Sequence, residues 1–234
     1  SVLGKVPDEA HSEVFVFNDR DFRGIFSPKT ALRSKLDIVH AKVGPFVRMV
    51  PRLKVLSSFE TILTSLISSE VSVLPVVSGE RVIGAVHVYE ILNQIAPALS
   101  EGKVSDMKIR EGKQIMDMDP MGKAIQLFHD TAAFALVVID ENQLPVDVVA
   151  PFDILHNFHF YSHRRDYGSK GRRRTKAFKG EKDRMNALPI AGFINDREIE
   201  PVYSTDTIPT LIRKFITSGR LSLWVRDTGT IITV

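Results

Sequence analysis

From Val71 the chain reads VSVLPVV, breaks at SGE, resumes as RVIGAVH and passes into VYEIL. Two apolar runs around a tight polar turn, followed by the start of an amphipathic pattern, predict two antiparallel strands leading into a helix. The same order recurs as EVFVFNDRDFRGIFSPKTAL (13–32), FALVVIDENQLPVDVVAPFDIL (134–155) and LSLWVRDTGTIITV (221–234). Corresponding positions at the end of the second strand are Ser27, His87, Ala150 and Thr233, which lie 60, 63 and 83 residues apart. Recurrence at such spacing is the mark of a repeat protein.

Helical patterns precede three of these strand pairs. Ser57 and Glu60 have capping-box spacing ahead of Ile62, Leu63, Leu66 and Ile67. Asp119 precedes Pro120, a cap followed by proline at the first helical position, and leads into Ala124, Leu127 and Phe128. Ile208, Leu211, Ile212, Phe215 and Ile216 follow the spacing of one helix face. The unit is thus strand-helix-strand-strand-helix, an α/β (α+β) architecture. About 60 residues bury too little surface alone, so the units are expected to pair. By this pattern unit one lacks its first strand and most of its first helix, and unit four its last helix.

Charge adds an insertion to this picture. The 234 residues carry a formal net charge of +3, yet 164–184 alone holds ten Lys or Arg against three acids. The rest of the chain is therefore slightly acidic. The last repeat interval is longer than the others by about the length of this segment, so an insertion is expected at about 160–185. There is no cysteine, which excludes disulfides, thiolate metal sites and cysteine nucleophiles. The longest apolar run, Ala132 to Ile139, is eight residues, well short of the roughly 18 to 20 that span a bilayer. With no signal-peptide pattern at 1–21, the expected location is cytoplasmic.

Several short motifs have plain readings. Asp8-Glu9-Ala10-His11 spells a helicase box, but no phosphate-binding loop accompanies it, and Gly168-Ser169-Lys170-Gly171 lacks the strand and helix that would make it one. His156, His159 and His163 are spaced to align on a helix, but they stand among Phe158, Phe160 and Tyr161, so an interfacial helix end is expected rather than a metal site. The basic segment, with Tyr167 and Phe178 interleaved, has the composition of a nucleic-acid-binding arm, with Arg172, Arg173, Arg174 and Lys176 as its candidate contacts. A solvated or partner-binding loop, or one reaching phosphates in a neighbouring cleft, has the same composition. No catalytic constellation has recognisable context, and an enzyme is not expected.

The segments LPVV, VIGAVH and YEIL of the second unit, and VVID and PVDVVAPFDIL of the third, resemble the CBS domain, named after cystathionine β-synthase. Val104-Ser105-Asp106-Met107 resembles the leader of such a repeat, and Val43-Gly44-Pro45-Phe46 a degenerate copy. The resemblance covers nearly the whole chain as four tandem repeats, similar to the regulatory gamma subunit of AMP-activated protein kinase and to archaeal stand-alone CBS proteins. It implies two pseudo-twofold modules, expected at 1–100 and 101–234, whose clefts bind AMP, ADP, ATP or S-adenosylmethionine. It also implies a G-h-x-[ST]-x-x-D pattern (h apolar) in which the Asp accepts both ribose hydroxyls and the Ser or Thr donates to phosphate.

This chain matches that pattern unevenly. Unit one has Ser27 but Thr30 in place of the carboxylate; unit two has His87 and Glu90; unit three keeps Asp153, after Pro151, but has Ala150 for the hydroxyl and Asp147 for the glycine; unit four has Thr233. If units three and four pair, the Asp153 cleft is expected to add Val202, Tyr203, Leu221 and Ser222, with Trp224 either lining it or filling the core. Without the resemblance, Asp153 reads as a carboxylate favoured at a helix start. The expected function is regulatory sensing of an adenosyl ligand by a homodimer, with no cofactor or metal beyond that ligand. The alternatives are nucleic-acid binding at the insertion on a structural scaffold, and assembly without a ligand.

Overall fold

The computed structural model describes residues 13–33, 42–99, 102–108, 112–131, 133–156, 186–194, 200–220 and 222–233. Repeat one is a hairpin of β1 (Val14–Asn18) and β2 (Asp21–Phe26), then α1 (Pro28–Arg33), with β3 (Val47–Arg48) on the β2 edge. Repeat two runs β4 (Leu53–Lys54), α2 (Phe59–Ser69), β5 (Val73–Ser78), β6 (Arg81–His87) and α3 (Val88–Ile95). Repeat three runs β7 (Lys113–Met116), α4 (Met121–Asp130), β8 (Leu136–Ile139), β9 (Pro145–Val149) and a helical stretch, α5, at 151–156. Repeat four has α6 (Ile208–Ser218), β10 (Ser222–Val225) and β11 (Thr230–Thr233), its first strand reduced to one parallel bridge from Val202 to Val225.

The predicted order is present, and the repeats match in detail. β4 and β7 pair parallel with β5 and β8 across a connecting helix, and each strand pair that follows is antiparallel. The ladders shift register at Val16/Phe17, Val76/Val77 and Val138/Ile139, the same place in three hairpins. Repeat one is completed differently. Its added strand, β3, pairs antiparallel with β2, Ile25 opposite Arg48, whereas β4 and β7 lie on the far side of the hairpin.

Two helix starts differ from expectation by one residue. Ser58, not Ser57, caps α2, its hydroxyl accepting from Thr61 N–H. Pro120, not Asp119, is the cap position of α4. The displaced residues instead close the turn between first strand and helix, and repeat four does the same. Ser57 Oγ accepts from Lys54 N–H at 2.9 Å, Asp119 Oδ2 from Met116 N–H at 3.0 Å and Asp206 Oδ2 from Tyr203 N–H at 3.0 Å. The helices α2 and α6 end on left-handed residues, Glu70 and Gly219.

Apolar packing joins the repeats in a cycle. Phe22 and Ile25 of repeat one pack with Leu53, Leu66, Leu74 and Ile91 of repeat two. Phe26, Leu32 and Phe46 meet Ile115, Met121, Phe128 and Ile154 of repeat three. Tyr89 of repeat two lies against Leu211, Phe215 and Val225 of repeat four. Val137 and Ile139 of repeat three close on Ile231 and Trp224 of repeat four. Repeats three and four also exchange leaders: Val104 and Ser105 N–H donate to Asp206 and Ser204 carbonyls, while Ile190 and Ala191 N–H donate to those of Asp119 and Asp117. This reciprocity is what a pseudo-twofold pair requires. The expected insertion at 164–184 lies outside the described residues.

Candidate functional site at the junction of repeats three and four

Asp153 lies in the first turn after Ala150, and its Oδ2 accepts from Ala150 N–H at 2.7 Å. It has the local role expected of a helix-start carboxylate, closing the turn from β9 into α5. Its surroundings are largely dry. Burial, opposed by the Ala150 N–H and the charges of Arg220 and His156, pushes the carboxyl up to about 6, with Asp147 adding to the rise. His156 stacks on Phe152, ring centroids 5.5 Å apart.

Arg220 crosses from repeat four. Its Nη1 stands 2.6 Å from Asp147 Oδ1 and donates to the Val148 carbonyl at 2.9 Å. The Asp147 side chain is 4% exposed and that of Arg220 17%, so this is an ion pair largely removed from water. It fastens β9 to the residues just before β10.

The other candidates fall into distinct places. Pro151 and Ser222 are buried at the same junction, while Tyr203 is exposed and its N–H is held by Asp206. Val202, expected to line the cleft, is buried with Leu211, Leu223 and Val225, and its backbone bridges to Val225. Thr233 pairs with Ser222 across the hairpin. Trp224 fills the interface between repeats with Val137, Ile139 and Ile231, and among the described residues its Nε1 is buried without a hydrogen-bond partner. Leu221, His159 and His163, together with Arg172, Arg173, Arg174 and Lys176 of the insertion, lie outside the described residues.

In repeat two, His87 Nδ1 accepts from Tyr89 N–H at 3.2 Å and Glu90 Oε2 accepts from His87 N–H at 2.9 Å. The imidazole thus does the capping work of the hydroxyl whose place it takes, and the pair closes α3 as a reciprocal box. In repeat one, Ser27 is buried with its carbonyl accepting from Ala31 N–H, and Thr30 is half-buried beside it. The junction of repeats one and two carries its own cross-links. Glu13 Oε2 accepts from both the N–H and hydroxyl of Ser72 at 2.7 Å, and burial raises its carboxyl. Arg48 donates to the Ser69 carbonyl at 3.0 Å, and Lys29 lies 3.5 Å from Glu70. Sequence reasoning passed over Arg220 and read Asp147 only as a missing glycine. Setting repeats three and four against the uncharged Gly84 and Val71 of repeat two would have exposed the two new opposite charges.

Among the described residues no cluster of three or more His, Asp or Glu is placed to hold a metal, and no helix is long and apolar enough to cross a membrane. No family model matches the sequence, and no curated protein matches it. Solved structures do. Over 99% of its length the chain is similar to 88% of a protein from Methanocaldococcus jannaschii proposed as an archaeal homolog of g-AMPK, with 13% identity and a TM-score of 0.76. Over 95% it is similar to 87% of an uncharacterized conserved protein from Pyrococcus horikoshii, with 16% identity and a TM-score of 0.59. Over 63% it is similar to 93% of the CBS domain of a membrane protein from Sphaerobacter thermophilus, with 14% identity and a TM-score of 0.46. Repeat motifs, strand-helix order and likeness over the full length agree: the chain has the fold of the CBS-domain proteins, with four repeats in tandem.

Proposed function

We propose that this chain is a regulatory module that binds an adenosyl compound between repeats three and four. The observation that carries the reading is Asp153. At the position the family resemblance assigns to ribose, repeat one has Thr30, repeat two Glu90 and repeat three the expected aspartate, Asp153, which stands half-buried where Arg220 of the partner repeat crosses the junction. A carboxylate in such a dry setting accepts two vicinal hydroxyls strongly, because water competes little for it.

Binding there would tighten the contact between repeats and so shift the balance of module orientations, which a partner protein or a second copy of the chain could read. Assembly as a homodimer belongs to the same proposal. The described residues offer nothing that favours nucleic acid as the ligand.

A thermal-shift screen of adenosine, AMP, ADP, ATP and S-adenosylmethionine at fixed ionic strength tests the reading, since a ligand that prefers the native state raises its melting temperature. Stabilisation by at least one of them, lost in Asp153→Ala, is expected. No response at millimolar concentration contradicts the reading.

A further inference from the structure

Repeats three and four roof one another. Val104 and Ser105 N–H donate to the Asp206 and Ser204 carbonyls, and the Gly102 carbonyl accepts from Ile208 N–H at 2.9 Å. In return Ile190 and Ala191 N–H donate to the Asp119 and Asp117 carbonyls, and the Leu188 carbonyl accepts from Met121 N–H at 2.8 Å. Each leader thus commits two consecutive N–H groups and one carbonyl to the turn and first helical residue of the other repeat. The first of the two donors, Val104 or Ile190, is fully buried.

Repeat two has the same turn without the roof. Ser57 closes it as Asp119 and Asp206 close theirs, which sets Val55, Ser57 and Phe59 level with Asp117, Asp119 and Met121. Among the described residues no N–H reaches the Val55 or Ser57 carbonyl, and no acceptor meets Phe59 N–H. The side chains agree: Phe59 is 42% exposed where Met121 is 0%, and Val55 is 63% exposed. β6 is bare at a matching place. Ala85 is exposed, whereas the residues at its register, Ile25, Val148 and Ile231, are at most 7% exposed. Ile231 lies under Gly112, so closely that a Cβ on that glycine would stand 2.4 Å from it. One stretch, starting at Gly102 and reaching Gly112, therefore covers both the turn and the second strand of repeat four. Its counterpart is what repeat two lacks among the described residues.

Unpaired backbone groups beside exposed apolar side chains recognise another backbone specifically. A second copy of this chain has no leader to offer. Those of repeats three and four hold each other, and that of repeat two keeps Phe46 buried among Ile115, Met121 and Phe128 of repeat three. An additional whole repeat has no place either, because the hairpin of repeat one already packs on Leu66, Leu74 and Ile91. What remains open takes a short segment. We propose that the turn of repeat two, Val55 to Phe59, is a docking surface for a leader-like segment of a partner protein: an apolar residue and its successor present two consecutive N–H groups, a carbonyl lies two residues before them, and the chain runs on to Ala85. This contact is the one between repeats three and four, made in trans, and it is independent of the adenosyl reading.

The probe is a synthetic peptide of residues 102–113, GKVSDMKIREGK, the stretch that serves repeat four. The chain has no cysteine, so Leu56→Cys in the full chain takes a single fluorescent label at the rim of the turn. Leu56 is 95% exposed, and its counterpart Met118 keeps 73% exposure beside its own leader, so the label leaves the surface open. Label anisotropy is expected to be low at every protein concentration, to rise on titration with the peptide, and to stay low with a peptide carrying Val104→Asp. Adding Val55→Asp, at an exposed position, is expected to weaken the peptide at least about tenfold. A label already restrained before peptide is added overturns the proposal: where dilution frees it, a second copy occupies the turn, and where dilution does not, the chain's own residues do. No response to the peptide overturns it as well, as does a response that neither Val104→Asp nor Val55→Asp diminishes.

Discussion

Gly24 lies against the backbone of Arg48 so closely that a Cβ on it would stand 2.2 Å from the Arg48 carbonyl oxygen. Its φ of +133° is also one that residues with a side chain rarely adopt. The glycine is what lets β3 add to the edge of β2 and complete repeat one. Gly84, at the same register in repeat two, has nothing within 4 Å of the same Cβ. Two glycines of one motif should therefore respond oppositely to alanine. Gly24→Ala is expected to cost more than about 3 kcal/mol, because backbone rather than a movable side chain blocks it. Gly84→Ala is expected to stay within about 0.5 kcal/mol. Urea melts of the two variants provide the comparison, and equal midpoints would contradict it.

Asp119 and Asp206 close equivalent turns, but their lysines differ. Lys123 is 51% exposed at 2.6 Å from Asp119, whereas Lys214 is 6% exposed at 2.7 Å from Asp206 and also donates to the Pro201 carbonyl. Asp206→Ala leaves a buried ammonium without its counter-charge and is expected to cost about 3–5 kcal/mol. Asp119→Ala is expected to cost about 1 kcal/mol, most of it from the lost turn bond. Adding Lys214→Met to Asp206→Ala should recover much of the loss. Denaturant unfolding of the three variants measures these differences, and equal costs for the two single substitutions would contradict the distinction.

Asp153 gives stability a pH dependence of unusual sign for a carboxylate. Burial holds its carboxyl at about 6 in the native state, against about 3.9 in an unfolded chain. Between those values the native protein keeps a proton that the unfolded chain has released, so the contribution of this group falls as pH rises. It is complete below about pH 4 and gone above about pH 6. Asp119 and Asp206 act in the opposite sense: burial raises their carboxyls, but hydrogen bonds outweigh it and hold them low. Comparison with Asp153→Asn, which keeps an acceptor for Ala150 N–H, isolates the single group. Relative to wild type, the variant should gain up to about 3 kcal/mol between pH 4 and pH 7. A difference that stays flat across that range would contradict the assignment.

The strands and their repetition were legible because apolar runs ending in tight turns recur at nearly constant spacing, and local periodicity suffices to read them. The start of α2 was misplaced by one residue because Ser57 and Ser58 are both capping types, and only geometry assigns the cap to one and the turn bond to the other. His87 looked like a degraded hydroxyl position, whereas an imidazole nitrogen accepts the cap hydrogen bond equally well. The contacts that close the cycle of repeats come from Phe46 in a short turn and Tyr89 in the first turn of a helix, where no period announces them. The Arg220–Asp147 pair spans 73 residues of sequence. Only a position-by-position comparison of repeats could have joined its halves.

Ligand binding between repeats three and four is tested most directly by calorimetric titration of adenosine into wild type, Asp153→Ala and Glu90→Gln. One binding event per chain is expected, abolished in Asp153→Ala and retained in Glu90→Gln, whose side chain serves the cap of α3 in the other half of the molecule. Binding that survives in Asp153→Ala would contradict the placement of the ligand at this junction.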